Sequence, residues 1–241
     1  MTTPLNPILA GGRHAGPHQG PHPGIVAIVF AVLFNLGLYF VVSFSAGKAH
    51  FPGPGESADA ITAYFRANAA AVLLCSFFHF GSAIPLGIFT ATVVSRLRFL
   101  GVRAAGAYIA LFGGLATALN IAAASSILWV MAYPGIAQDA GVLRALYYLM
   151  FSIGGVGFSV PMGLLMAGVS VTAGMTRLLP KWIVVFGLVL AVVGELSWLS
   201  MVFPHALFLI PLTRFPGFVW LIAVGFALPK SAARSLSATA A

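Results

Sequence analysis

GIVAIVFAVLFNLGLYFVVSFSAG, residues 24–47, contains no charged side chain. It exceeds the roughly 18–20 apolar residues needed to cross a bilayer. In hydrocarbon only helices and closed barrels satisfy their own backbone groups. Barrel strands alternate apolar and polar residues over about ten positions, and this run is continuous, so it is helical. It is too long for the apolar region of a signal peptide and reads as a retained span.

Further charge-poor runs follow over 68–95, 104–133, 145–176, 181–203 and 206–228, with Pro204-His205 as a turn between the last two. Too few apolar residues follow Pro216 to span alone. The sixth helix must therefore begin before Arg214, or else 205–216 is re-entrant. The expected fold is all-α, a polytopic bundle of six transmembrane helices. Its parts are a flexible His/Pro/Gly-rich cytoplasmic tail over 1–23, a transmembrane domain over 24–229 and a cytoplasmic tail over 230–241.

Composition agrees. The 241 residues include 12 Lys/Arg and 4 Asp/Glu, and 60% are hydrophobic, whereas a soluble domain carries about a quarter charged residues. A net charge of +8 would suggest nucleic acid in a soluble protein. Here the basic residues stand singly between apolar runs, which excludes a nucleic-acid surface and points to orientation. Six spans place Arg13, Arg96, Arg98, Arg103, Arg177, Lys181, Lys230 and Arg234 on one side, with Arg96 and Arg98 assigned to the second loop. The other side receives Lys48, Arg66 and Arg144 with Glu56, Asp59 and Asp139. The positive-inside rule then puts both termini in the cytoplasm. Trp182 at one interface and Tyr133, Tyr147 and Tyr148 at the other fit an aromatic belt. Ser57 is a candidate N-cap with Asp59 in the first turn, so the second helix starts outside the bilayer. Ile84-Pro85-Leu86-Gly87-Ile88 and Val160-Pro161-Met162-Gly163-Leu164 are similar, through either a tandem repeat or chance.

Ionisable residues inside spans cost roughly 2.5–3.5 kcal/mol at a helix centre and are functional hypotheses by default. The candidates for ligand binding are His79, Glu195 and Arg214, joined by Asn35 and Asn120 at depths comparable with His79. Glu195 precedes Pro204 by nine residues and Arg214 follows His205 by nine. Both lie roughly 13 Å below the same end, so they are expected to pair, as a structural hairpin clamp or as a substrate or proton site. No cofactor is predicted. Haem or metal at His79 is the alternative, although haem usually takes a second axial donor. His14, His18 and His22 form a weak metal-binding tract in which glycine and proline prevent a shared helical face. No Walker loop, dinucleotide fingerprint, HExxH or nucleophile elbow is present, so nothing supports catalysis directly.

The run Arg177-Leu-Leu-Pro180-Lys181-Trp182 and the closing Pro211…Pro216-Gly217 helix resemble bacterial six-helix membrane proteins of unknown function, over residues 57–229. The resemblance implies a bundle in the bacterial cytoplasmic membrane and brings no activity. Three functions stay open: a non-catalytic accessory or ligand-binding bundle, a small transporter, and a membrane redox or lipid-modifying enzyme. The expected partners are the lipid bilayer and either other membrane subunits or a second copy, with no nucleic acid.

Overall fold

The computed structural model describes residues 17–41 and 50–231, all helix, turn and loop. Among the described residues nine α-helices form: α1 (Pro23–Val41), α2 (Ala58–Ala67), α3 (Ala69–Phe99), α4 (Gly106–Met131), α5 (Pro134–Gln138), α6 (Ala140–Gly154), α7 (Val156–Met175), α8 (Lys181–Leu196) and α9 (Leu209–Ala227). Six stretches of the described residues are long and apolar enough to cross a membrane: α1, α3, α4, α6 with α7, α8 with the turn after it, and α9 with the turn before it.

These spans form a ring in chain order. α1 lies against α3, α3 against α4, α4 against α7, α7 against α8 and α8 against α9, and α9 closes on α1. Six antiparallel spans return the chain to its starting end, where the His18 N–H donates to the Lys230 carbonyl at 2.9 Å. Phe77, Phe112, Leu119, Trp182 and Val219 stand outside, each more than half exposed. A belt of that kind is too large an apolar surface for water and matches lipid. Inside, Phe30, Phe34, Phe158 and Phe218 pack on one another, with ring centroids 5.1–6.5 Å apart.

Small residues set the closest approaches. Gly168 on α7 faces Gly106 and Ala110 on α4, and a Cβ at Gly168 would overlap the Gly106 carbonyl oxygen. Close approach through small residues is how helices gain packing energy where lipid competes equally for apolar side chains.

Local chemistry explains the ends. Ser57 caps α2 by accepting the Ala60 N–H at 3.2 Å, with Asp59 in the first turn. The second helix does start ahead of its span, as a separate α2 that stops at Asn68. Asp139 caps α6 by accepting from Gly141 and Val142 at 3.0 Å each. Pro134 opens α5 as a first-turn proline. α9 begins before Arg214, as its apolar length required.

Four expectations need correction. Arg96 and Arg98 are not in a loop but in the last turn of α3, because long cationic side chains tolerate the end of a span. The fourth span, in which Gly154-Gly155, Gly157, Gly163 and Gly168 together with Pro161 permit a kink, is not one continuous helix. It breaks at Gly155 (φ −90°, ψ −86°), while Pro161 stays within α7. The Pro204-His205 turn is not tight: 3-10 turns over Ser197–Met201 and Pro204–Phe208 fill it. Tyr147 leaves the aromatic belt, since it is fully buried and its hydroxyl donates to the Pro52 carbonyl at 2.7 Å.

The first 16 residues of the expected tail, including His14, lie outside the described residues. Residues from Pro17 onward make contacts: the His18 ring lies 3.0 Å from the Ser95 hydroxyl and edge-on to Phe99.

Candidate functional site

The break at Gly155 is where the site begins. It interrupts the hydrogen-bond ladder, so α6 ends inside the bundle and its last carbonyls need new donors. The Arg214 guanidinium on α9 donates to the Gly154 carbonyl. A helix C-terminus carries partial negative charge and favours a cation there. The same guanidinium sits 4.6 Å from the Phe158 ring centroid and 5.3 Å from that of Phe34, distances typical of cation–π attraction. Its Nε is buried and has no hydrogen-bond partner.

Phe34 connects Arg214 to His79. The imidazole stacks on Phe34 with centroids 4.2 Å apart and planes at 21°. Its Nε2 lies 3.0 Å from the Phe34 carbonyl oxygen. A carbonyl only accepts, so Nε2 carries the hydrogen. Nδ1, 3.6 Å from the Cys75 sulfur, is then the acceptor of the thiol. Gly37 makes room for this, because a Cβ there would strike the imidazole Cδ2 and approach the Cys75 carbonyl. Both ring nitrogens thus have protein partners, and a metal or haem iron at His79 would have to displace one.

A cavity of about 200 Å³ opens beside these groups. Arg214, His79, Cys75 and Ser125 supply its polar edge, and apolar residues such as Leu38, Ile121 and Leu128 form most of the wall. Phe51, from the segment that leads to α2, closes part of one side. Tyr64 of α2 holds the neighbouring end of α1 by donating to the Val41 carbonyl at 2.9 Å. Burial and the nearby Cys75 push the Tyr64 hydroxyl up to about 12, so it stays a donor.

The expected Glu195–Arg214 pair does not form. The one ion pair among the described residues joins His50 and Glu56, 2.9 Å apart. Glu195 faces α7 at Gly163, and its Oε1 has no partner. Gly163 lies nine residues beyond Gly154, about 13 Å along a helix. Counting from the turn fixed the depth of each backbone but not the direction of each side chain.

Asn120 is elsewhere too. Pro161 has no N–H for the Gly157 carbonyl, four residues back, and the Asn120 amide donates to that orphaned oxygen. It ties α4 to α7 below the break. Asn35 is exposed on α1 and bonds its own helix at the Ala31 carbonyl, 2.7 Å away. His18 and His22 do not converge: His18 meets Ser95, whereas His22 accepts from the Gly24 N–H and lies against Phe226. Burial and the charge of Arg96 hold both below the ordinary histidine range, and Lys230 adds to the effect at His22. No three His, Cys, Asp or Glu side chains converge on a metal position among the described residues.

The structure therefore brings His79 and Arg214 together and leaves Asn35, Asn120 and Glu195 outside the cavity. Sequence reading missed Phe34 and Phe158, and it took Gly154-Gly155 and Pro161 together as permitting a kink without placing the break. The signal was the paired Gly154-Gly155 in mid-span, where the backbone costs least to bend.

Comparison of the chain with protein families, with curated proteins and with solved structures gives no match. Six long apolar helices make it a multi-pass membrane protein.

Proposed function

We propose that this chain is a ligand-binding membrane bundle, and that its ligand is a small anion with an apolar body, such as a short aliphatic or one-ring carboxylate. One observation carries the reading. A guanidinium stands at the wall of an apolar cavity, and among the described residues its Nε is unpartnered and no carboxylate pairs with it. A buried cation without a counter-charge is expensive, and a bound carboxylate would supply both charge and acceptors. The cavity's 200 Å³ exceeds the roughly 150 Å³ that suffices for benzene. His79, locked by its own two bonds, would act as a fixed wall rather than a catalyst.

A second reading, a carrier for the same anion, is favoured by the helix break. Substrate sites of transporters commonly lie at discontinuous spans whose ends face the ligand. This reading uses Arg214 without Glu195. Within either reading the basic end of the bundle faces the cytoplasm, in the cytoplasmic membrane of a bacterium, following the resemblance over 57–229. Cysteines placed near Gly53 and Ala137 should then label from outside intact cells, and those near Gly101 and Pro180 should not.

Thermal unfolding and native mass spectrometry of the purified protein test the site, using carboxylates such as benzoate and hexanoate against the matching neutral amides. Carboxylates should stabilise and be retained; amides should not. Arg214→Gln should lose the response. Ala124→Leu, which fills the cavity and leaves Arg214 intact, should lose it as well. Equal binding of amides, or a full response in Ala124→Leu, sinks the reading. Uptake of the bound acid into proteoliposomes separates the carrier from the binder.

A further inference from the structure

The end of the bundle where His18 meets Lys230 holds a second cleft, with a volume of about 1290 Å³. It lies between the last turn of α3, the α7–α8 connection and the end of α9. Arg96, Arg177, Lys181 and Lys230 line it together with His22. None of the chain's four acidic residues does. Four cations around one space repel one another, so the arrangement is incomplete by itself.

Two of the cations show that the cleft is built rather than incidental. Arg96 is 1% exposed, yet its one hydrogen bond among the described residues runs from its NH1 to the Leu228 carbonyl at 3.3 Å. Its Nε is buried with no partner. A guanidinium has five N–H donors, and most of these have no acceptor among the described residues. Arg177 is the second sign. Leu178 N–H donates to the Ala173 carbonyl at 2.8 Å, and Arg177 N–H to the Gly174 carbonyl at 3.2 Å. This six-to-one, five-to-two pair is a Schellman ending, whose left-handed residue is usually glycine. Here it is Arg177, with φ 53°. The backbone bears the strain of a side chain, and that side chain delivers a charge to the cleft.

The opening gives the ligand its shape. Val184, Val185 and Phe226 make an apolar flank. Val185 is 58% exposed and Trp182 is 61% exposed on the same helix, so this flank continues onto the outer apolar face of the ring. We infer that the cleft is a binding site for a phosphate group, either the head group of an anionic phospholipid whose chains lie along α8 or a free phosphate. Basic pockets between helices at a membrane surface suit such head groups. The cleft is separate from the Arg214 cavity and stands or falls independently of it.

The test uses the full chain in phosphatidylcholine nanodiscs at constant ionic strength. Phosphatidylglycerol is titrated into the discs in one arm and inorganic phosphate is added in the other, with the unfolding midpoint and native mass spectra as readouts. Phosphatidylglycerol should raise the midpoint and remain bound, with inorganic phosphate much weaker. Arg177→Gly places the residue that this backbone prefers, so it folds. It should bind phosphatidylglycerol about tenfold more weakly, the loss of one charge-assisted contact. Lys181→Gln should do the same. Arg103→Gln removes an exposed cation from the same end that does not line the cleft, and should bind as the native chain does. If inorganic phosphate binds as tightly as the lipid, with the same dependence on Arg177 and Lys181, the site is upheld and its ligand is the soluble anion. If neither source binds, or if Arg103→Gln weakens binding as much as Arg177→Gly, the inference is overturned.

Discussion

The two ends of the bundle use the same basic side chains in opposite ways. At the α2 end, Arg66 donates from Nε to the Ala137 carbonyl at 2.8 Å and from a terminal nitrogen to the Gln138 carbonyl at 2.7 Å. One cation thereby ties α2 to the end of α5. Tyr64 and Tyr147 spend their hydroxyls on Val41 and Pro52, and Glu56 accepts from the Gly53 N–H while pairing with His50. Three of the four acidic residues stand at this end. At the opposite end Arg96, Arg177, Lys181 and Lys230 face a cleft with no carboxylate among its described lining residues. At one end Arg66 is satisfied by carbonyls and ties a structural cover together; at the other the cations keep donors in reserve. Counting charges cannot tell these apart. What separates them is whether a carbonyl or carboxylate lies within reach.

The largest effect that would break this contrast belongs to Arg66→Ala. It removes two charge-assisted bonds between elements, and the unfolding midpoint should fall by the equivalent of about 2 kcal/mol. An unchanged midpoint would mean that the cover is not held by Arg66. Tyr147→Phe comes next. It orphans the Pro52 carbonyl and should cost about 1 kcal/mol, near the range measured for side-chain hydrogen bonds in membrane proteins; a conventional denaturation series resolves this. Arg96→Met sharpens the contrast because its sign differs. Replacing a poorly partnered buried cation by an apolar side chain of similar length is neutral or stabilising, so the midpoint should hold or rise in the absence of phosphate and anionic lipid. A drop comparable with that of Arg66→Ala would show that Arg96 is satisfied after all.

The smallest effect is a pH dependence at the cleft end. His18 is held below its ordinary range by burial and by Arg96. A base whose folded-state value is depressed binds fewer protons folded than unfolded. Its contribution is fully present above about pH 6.5 and is lost as pH falls below that toward the folded value. Midpoints at pH 7.5 and 5.5 should differ in that direction, and His18→Gln should reduce the difference, with His22 retaining its own share. A slope unchanged by the substitution assigns it to another group. Deleting residues 1–20 takes His18 with it and should remove the same component.

Span number, the cap at Ser57 and the start of the last helix before Arg214 were legible because each follows from length or local chemistry. Hydropathy along a chain reports how deep a residue sits. It does not report which way the residue faces, because lipid-facing and core-facing positions are both apolar. That is why Glu195 and Arg214 looked like partners and why Asn35 looked like an interior residue. The break at Gly155 was legible only as one of several places, with Pro161, where the span could kink. Pro161 is the louder signal for a kink, yet its missing donor is compensated by Asn120 from a neighbouring helix, a contact that only the fold supplies. Arg96 looked like a loop residue because sequence gives no sign that its stem is covered by the end of α9.

The crossing at Gly168 and Gly106 bears on how this lineage has been free to drift. Most outward positions of the ring ask only for an apolar side chain, so Leu, Ile, Val and Phe can exchange there over generations with little selective consequence. A methyl group at Gly168 has nowhere to go, because the Gly106 carbonyl occupies its place. Descent should therefore be recorded in the intervals between small residues rather than in the apolar letters around them. A distant cousin of this chain would be recognised by two glycines set where α4 and α7 cross, even after nearly every lipid-facing residue had been replaced.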